Sequence, residues 1–155
     1  MIMNNKKGIS AVVATVLIIL ITVAAVTIIW AAIIPMVKDN LDRGTICLDA
    51  MSQLNILNKG YTCFDDANNL VEVQVSHGPK DIKLMGIQVI VSDDAGGSDS
   101  FVNTTVPSVN GEKVVRVPYT GTARSVKIAP IVAVGNSNET CDALSSVDLI
   151  ACHIK

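Results

Sequence analysis

The chain has 155 residues, 12 of them basic and 14 acidic, for a net charge near −2, which gives no case for a nucleic-acid-binding surface. Only 3% of it is aromatic and it carries two histidines, which leaves little material for acid–base catalysis. The length allows one ordinary soluble domain of about 110 residues beside a separate N-terminal segment.

Residues 1–8 form a short polar leader that ends in Lys6, Lys7 and Gly8. Residues 9–37 then run for 29 positions without a charge. A bilayer-spanning helix needs roughly 20 apolar residues, so this run is long enough, with excess to be taken up by tilt or by continuation past the membrane. A cleaved secretory signal has an apolar core of about 7–15 residues, and the run is about twice that. Lys6 and Lys7 place the leader in the cytoplasm and the rest of the chain outside. Ser10 is placed to cap the helix, and Thr15, Thr22 and Thr27 can return their hydroxyls to carbonyls one turn back. Trp30 would lie about 32 Å along the helix from Ile9, near the outer headgroups. Pro35 would kink the helix or end its first section. A helix that is apolar all round needs an apolar medium on every face, either lipid or other helices.

The order Lys6-Lys7-Gly8-Ile9-Ser10, followed by Ala11-Val12-Val13-Ala14-Thr15-Val16-Leu17, resembles the class III signal peptide of archaeal type IV pilins. The resemblance covers about residues 6–37. It implies cutting after Gly8 by a prepilin peptidase and a mature chain that starts at Ile9. It also implies assembly into a homo-oligomeric helical filament by a pilus assembly ATPase and a membrane platform protein. Bacterial pilins carry a glutamate at the fifth mature position, where this chain has Val13. Archaellins are richer in glycine early in the helix, and here no glycine follows Gly8 until Gly44. Without the leader lysines the mature charge falls to about −4.

Residues 38–44 are polar and helix-compatible, with Gly44 a natural stop. This divides the chain into a leader at 1–8, a hydrophobic helix at 9–44 and an extracellular head at 45–155. The head reads as β-rich. Val71, Val73 and Val75 alternate with Glu72, Gln74 and Ser76. Along 81–92 the apolar parity changes, which a bulge near Gly86 reconciles. The stretch 92–100 is a loop or hairpin tip, and 54–57, 101–106, 112–117, 125–134 and 147–152 are further strand candidates. Pro130 implies an edge strand or a break. Six or seven short strands predict an α+β chain whose head is a small immunoglobulin-like β-sandwich.

Cys47, Cys63, Cys141 and Cys152 all follow the membrane segment, and an even count outside the cell reads as two disulfides. Short loops favour Cys47–Cys63 with Cys141–Cys152. A zinc site with His77 or His153 lacks any Cys-x-x-Cys pair, and His77 before Gly78-Pro79 reads as a turn residue. Asn103-Thr104-Thr105 and Asn138-Glu139-Thr140 are candidate N-glycosylation sites. Asp93, Asp94 and Asp99 do not match an EF-hand and read as a solvated hairpin tip.

No nucleophile elbow, P-loop, metalloprotease helix or dinucleotide fingerprint occurs, so the expectation is a non-enzymatic protein without a cofactor. The leading sequence reading is the precursor of a pilus-like filament subunit for adhesion or cell-surface contact. It would be held in the membrane before assembly and exposed on the cell surface after it. The alternatives are a single-pass anchored extracellular binding domain that never polymerises, and an archaellin or minor pilin.

Overall fold

The computed structural model describes residues 11–58, 60–144 and 146–152. It divides into two compact units, Met1–Leu41 and Asp42–Lys155. One helix, α1 (Ala11–Gln53), supplies all the described structure of the first unit and the opening of the second. Ser10 lies outside the described residues.

Within the first unit, α1 is mostly aliphatic from Ala11 to Val37 and contains no glycine. The hydroxyls of Thr15, Thr22 and Thr27 each donate to the carbonyl three residues earlier, at 2.9 Å. No side-chain hydroxyl in this stretch therefore needs water. The helix continues through Pro35, so that residue does not end it.

The second unit holds the last turns of α1 and, among the described residues, ten strands. Gly44 reads as a helix stop in the sequence, but α1 passes through it and on to Gln53. Tertiary burial beyond the glycine is the reason. Ile46, Cys47, Ala50 and Met51 share one face and pack with Val132, Val134 and Cys141, and this outweighs the local penalty of a helical glycine. The helix passes directly into β1 (Leu54–Ile56) without a loop. Gly78 N–H donates to the Gln53 carbonyl at 2.7 Å and Lys80 N–H to the Gln53 side-chain oxygen at 3.0 Å, satisfying groups at the helix end.

The strands form a sandwich of two five-stranded sheets. In the first, β3 (Leu70–His77) is central. It pairs antiparallel with β1 and β2 (Cys63–Asp65) on one flank and with β6 (Glu112–Pro118) on the other. In the second sheet, β4 (Leu84–Asp93) and β7 (Ala123–Val134) are central. β5 (Ser98–Asn103) lies beyond β4, and β8 (Ser137–Thr140) and β9 (Val147–Asp148) lie beyond β7. The inward faces are almost wholly β-branched: Val71, Val73 and Val75 meet Ile87, Val89, Val91, Val126 and Ile128 in one core. β-Branched side chains are stiff and suit a pleated, half-buried surface.

The alternation along 71–76 is the register of β3, whose buried residues continue to His77. The expected bulge is present: the register shifts between Leu84 and Gly86, leaving Met85 as the extra residue. A Cβ on Gly86 would lie 3.1 Å from the Asn103 carbonyl oxygen, so the close approach of β5 favours glycine there.

Three further expectations change. Pro130 is in neither an edge strand nor a break but in the middle of β7. Its carbonyl accepts from Cys141 N–H at 2.9 Å, on the flank between the short partners β9 and β8. The missing N–H faces that same flank, so the ladder to β4 loses nothing. The strand expected at 101–106 begins at Ser98, because the tight turn after Asp93 brings Ser98 opposite Ser92 at once. It ends where the Asn103 side chain accepts from Thr105 N–H at 2.7 Å. The single strand expected at 147–152 is two short ones in different sheets. β9 joins β7, and β10 (Ile150–Ala151) crosses to pair in parallel with β2.

Candidate functional site

Lys6, Lys7, Gly8 and Ile9, the residues of the expected peptidase site, lie outside the described residues. What the structure does present is the helix on their C-terminal side. Ile18, Ile19, Leu20 and Ile21 are consecutive, so they point about 100° apart and circle the helix, and they are 60–66% exposed. Seventeen large apolar side chains from Val12 to Val37 are exposed in this way. At the low end of about 1.5 kcal/mol per buried aliphatic side chain, covering them is worth about 25 kcal/mol. A whole domain is stable by only about 5–15 kcal/mol. This surface therefore demands an apolar surrounding, and the helix is long and apolar enough to cross a membrane.

The head is cross-linked twice. Cys47 bonds Cys141, tying the end of α1 to the residue after β8, and Cys63 bonds Cys152, tying β2 to the residue after β10. The pairing expected from short loops, Cys47–Cys63 with Cys141–Cys152, is thus replaced by two long-range bonds. The physical reason is placement. Cys47 is on the buried face of the helix, opposite the second sheet, while Cys63 is in the first sheet. The chain from Cys141 to Cys152 passes from one sheet to the other through β9 and β10. All four sulfurs are used, so no cysteine thiolate is left for the zinc reading. His153 lies outside the described residues.

His77 is not a turn residue. It ends the buried face of β3, is 5% exposed, and both its ring nitrogens lack a hydrogen-bond partner among the described residues. Nothing in the sequence signals this beyond its parity with Val71, Val73 and Val75.

The acidic tip is a hairpin. Asp93 N–H donates to the Gly97 carbonyl at 3.0 Å, and the Asp93 carboxylate accepts from Gly97 N–H at 2.7 Å. Gly96 supplies the left-handed backbone, with φ 87°. Asp94 pairs with Arg124 at 2.8 Å. Burial first, and then the charges of Asp93 and Asp99, push the Tyr119 hydroxyl above its ordinary value. In the β2–β3 turn, the Asn68 side-chain amide pulls the Asp65 carboxyl below its ordinary value. Partial burial opposes that pull, and the backbone N–H groups of Asn68 and Ala67 add to it.

The two candidate glycan acceptors differ. Asn138 is exposed near the β7–β8 turn, whereas Asn103 is half-buried and holds Thr105 N–H. A cleft of about 510 Å³ opens beside the Cys63–Cys152 bond, lined by Tyr61, Glu72 and Ile150 among others. It exists because β10 crosses to β2, which no local pattern announces. Glu72 in its wall is held by Arg116 on the facing strand β6.

No known protein family matches the chain, and no curated protein or solved structure is significantly similar to it. The architecture, a long apolar N-terminal helix followed by a disulfide-linked β-sandwich, is consistent with a pilin-like fold in its general form.

Proposed function

We propose that this chain is the precursor of a non-catalytic subunit of an extracellular, type IV pilus-like filament. In this reading Lys6 and Lys7 hold the leader inside and the head folds outside. A prepilin peptidase cuts after Gly8, and the freed helix then leaves the bilayer for a bundle of its own copies. An assembly ATPase and a membrane platform protein drive the transfer, and the sandwich forms the outer sheath that meets surfaces or other cells. The observation that carries the reading is the exposed apolar surface around the full circumference of α1. A helix that is apolar on every side suits lipid before assembly and a bundle of identical helices after it. The disulfide-linked head supports an extracellular position.

The test is intact mass and N-terminal sequencing of the protein from its native membrane and from sheared surface material. A chain starting at Ile9 in filaments visible by electron microscopy is the expected result. A functional protein that keeps Met1 through Gly8 and forms no filament would replace this reading with a membrane-anchored binding domain. Gly8→Trp should leave an uncut precursor in the membrane.

A further inference from the structure

Under tension, a protein held only by noncovalent contacts extends by its whole contour once its stability of about 5–15 kcal/mol is overcome. The disulfide connectivity of this head prevents that. The Cys47–Cys141 bond closes a ring containing everything between those residues, and the Cys63–Cys152 bond closes a second ring that overlaps the first. Every residue from Leu48 to Ala151 therefore lies on a covalent ring. A pull applied anywhere on the head reaches the helix along two arms of chain rather than one. A pull between helix and C-terminus bypasses the sandwich, entering at Cys47 and leaving at Cys141.

We infer that the two disulfides are parallel force-carrying links that fix the length of the head when tension passes between helix α1 and the rest of the chain. Each backs up the other. Either bond alone still gives a short covalent path from the helix to the C-terminus, through Cys47–Cys141 or through Cys63–Cys152. The local pairing would not do this, because it would leave the chain between Cys63 and Cys141 free to run out. The inference needs only a head under load outside the cell, so it stands whether the helix is packed in a filament or anchored in a bilayer.

The experiment is single-molecule force extension of the full chain in lipid nanodiscs. One handle is attached at position 42 through an unnatural side chain and the other at the C-terminus. The long-range bonds leave about 19 residues of path, which at about 3.5 Å each extends to about 65 Å. After reduction the roughly 113 residues between the handles should extend to about 395 Å. C63A/C152A should remain at about 65 Å, and C47A/C141A should rise only to about 85 Å, because the remaining bond takes the load. An oxidised chain that extends to about 300 Å would mean local pairing and would overturn the inference. So would either paired variant reaching the reduced length, since it would show that the links do not back each other up. Because the readout is contour length, a destabilised variant still gives an answer.

Discussion

The same connectivity fixes how the two disulfides share their stabilisation, and that sharing can be measured. In the chain-entropy account, a bond with a sequence separation of 94 stabilises by about 4.7 kcal/mol, and one with a separation of 89 by about 4.6 kcal/mol. These values do not add, because the rings overlap. Once Cys47–Cys141 is closed, the covalent path from Cys63 to Cys152 runs back to Cys47, across to Cys141 and onward, a distance of about 27 residues. The second bond then contributes only about 3.6 kcal/mol, for a total of about 8.2 kcal/mol. Replacing either pair by alanine should therefore cost about 3.6 kcal/mol, while replacing both costs about 8.2, roughly 1 kcal/mol more than the sum. The assay is urea unfolding of all four proteins in one concentration of trimethylamine N-oxide, chosen so that the four-alanine chain is folded. The reasoning would be refuted by strict additivity with single losses near 3.1 and 2.8 kcal/mol, since rings of about 16 and 11 residues give those values independently.

Three further outcomes are expected. Gly44 is in mid-helix with nothing within 4 Å of an added Cβ, so Gly44→Ala should stabilise the folded chain by up to about 1 kcal/mol, read by chemical unfolding. If that stabilised chain assembles poorly, the glycine serves close approach by another copy. Asn69 holds φ 52° in the β2–β3 turn, so Asn69→Gly should be tolerated, while Asn69→Val should cost about 1–2 kcal/mol by the same assay. Tyr119 has its pKa raised on folding, and the phenol is neutral when protonated. Its contribution is thus whole below its unfolded pKa near 10 and is lost as pH rises through the higher folded value. Tyr119→Phe has no phenol to ionise and should lose less stability than the wild type above about pH 10. A parallel decline in both proteins would assign the alkaline sensitivity elsewhere.

Whatever a local pattern decides is legible in the sequence. Twenty-nine uncharged residues specify the apolar helix, and the valines at 71, 73 and 75 specify β3 and its inward face. Even the bulge at Gly86 is visible, because a bulge changes parity and parity is written along one strand. Most of the misreadings concern what lies across from a residue. Gly44 looks like a helix end until Ile46, Cys47 and Ala50 are seen packed on the second sheet. Pro130 looks like an edge until its nitrogen is seen facing the gap between β9 and β8. The cysteine pairing depends on which sheet each strand joins, and separation along the chain carries almost no information about that. The candidate processing residues Lys6, Lys7, Gly8 and Ile9 rest on their order alone.

These two kinds of information correspond to two kinds of stability in the molecule. The exposed surface of α1 from Val12 to Val37 gains nothing within the chain, and its roughly 25 kcal/mol of burial must come from outside. The head draws on its own core: Leu54 and the valines and isoleucines of β3, β4, β6 and β7 are buried together in one cluster. Its disulfides likewise begin at Cys47, beyond the apolar run. A head with its own core and cross-links has no need to refold when the helix exchanges one apolar environment for another. That independence is what a subunit moving from membrane to filament requires. It gives the proposed function a physical consequence: removing the leader at Gly8 should change where the helix resides while leaving the unfolding midpoint of the head unchanged.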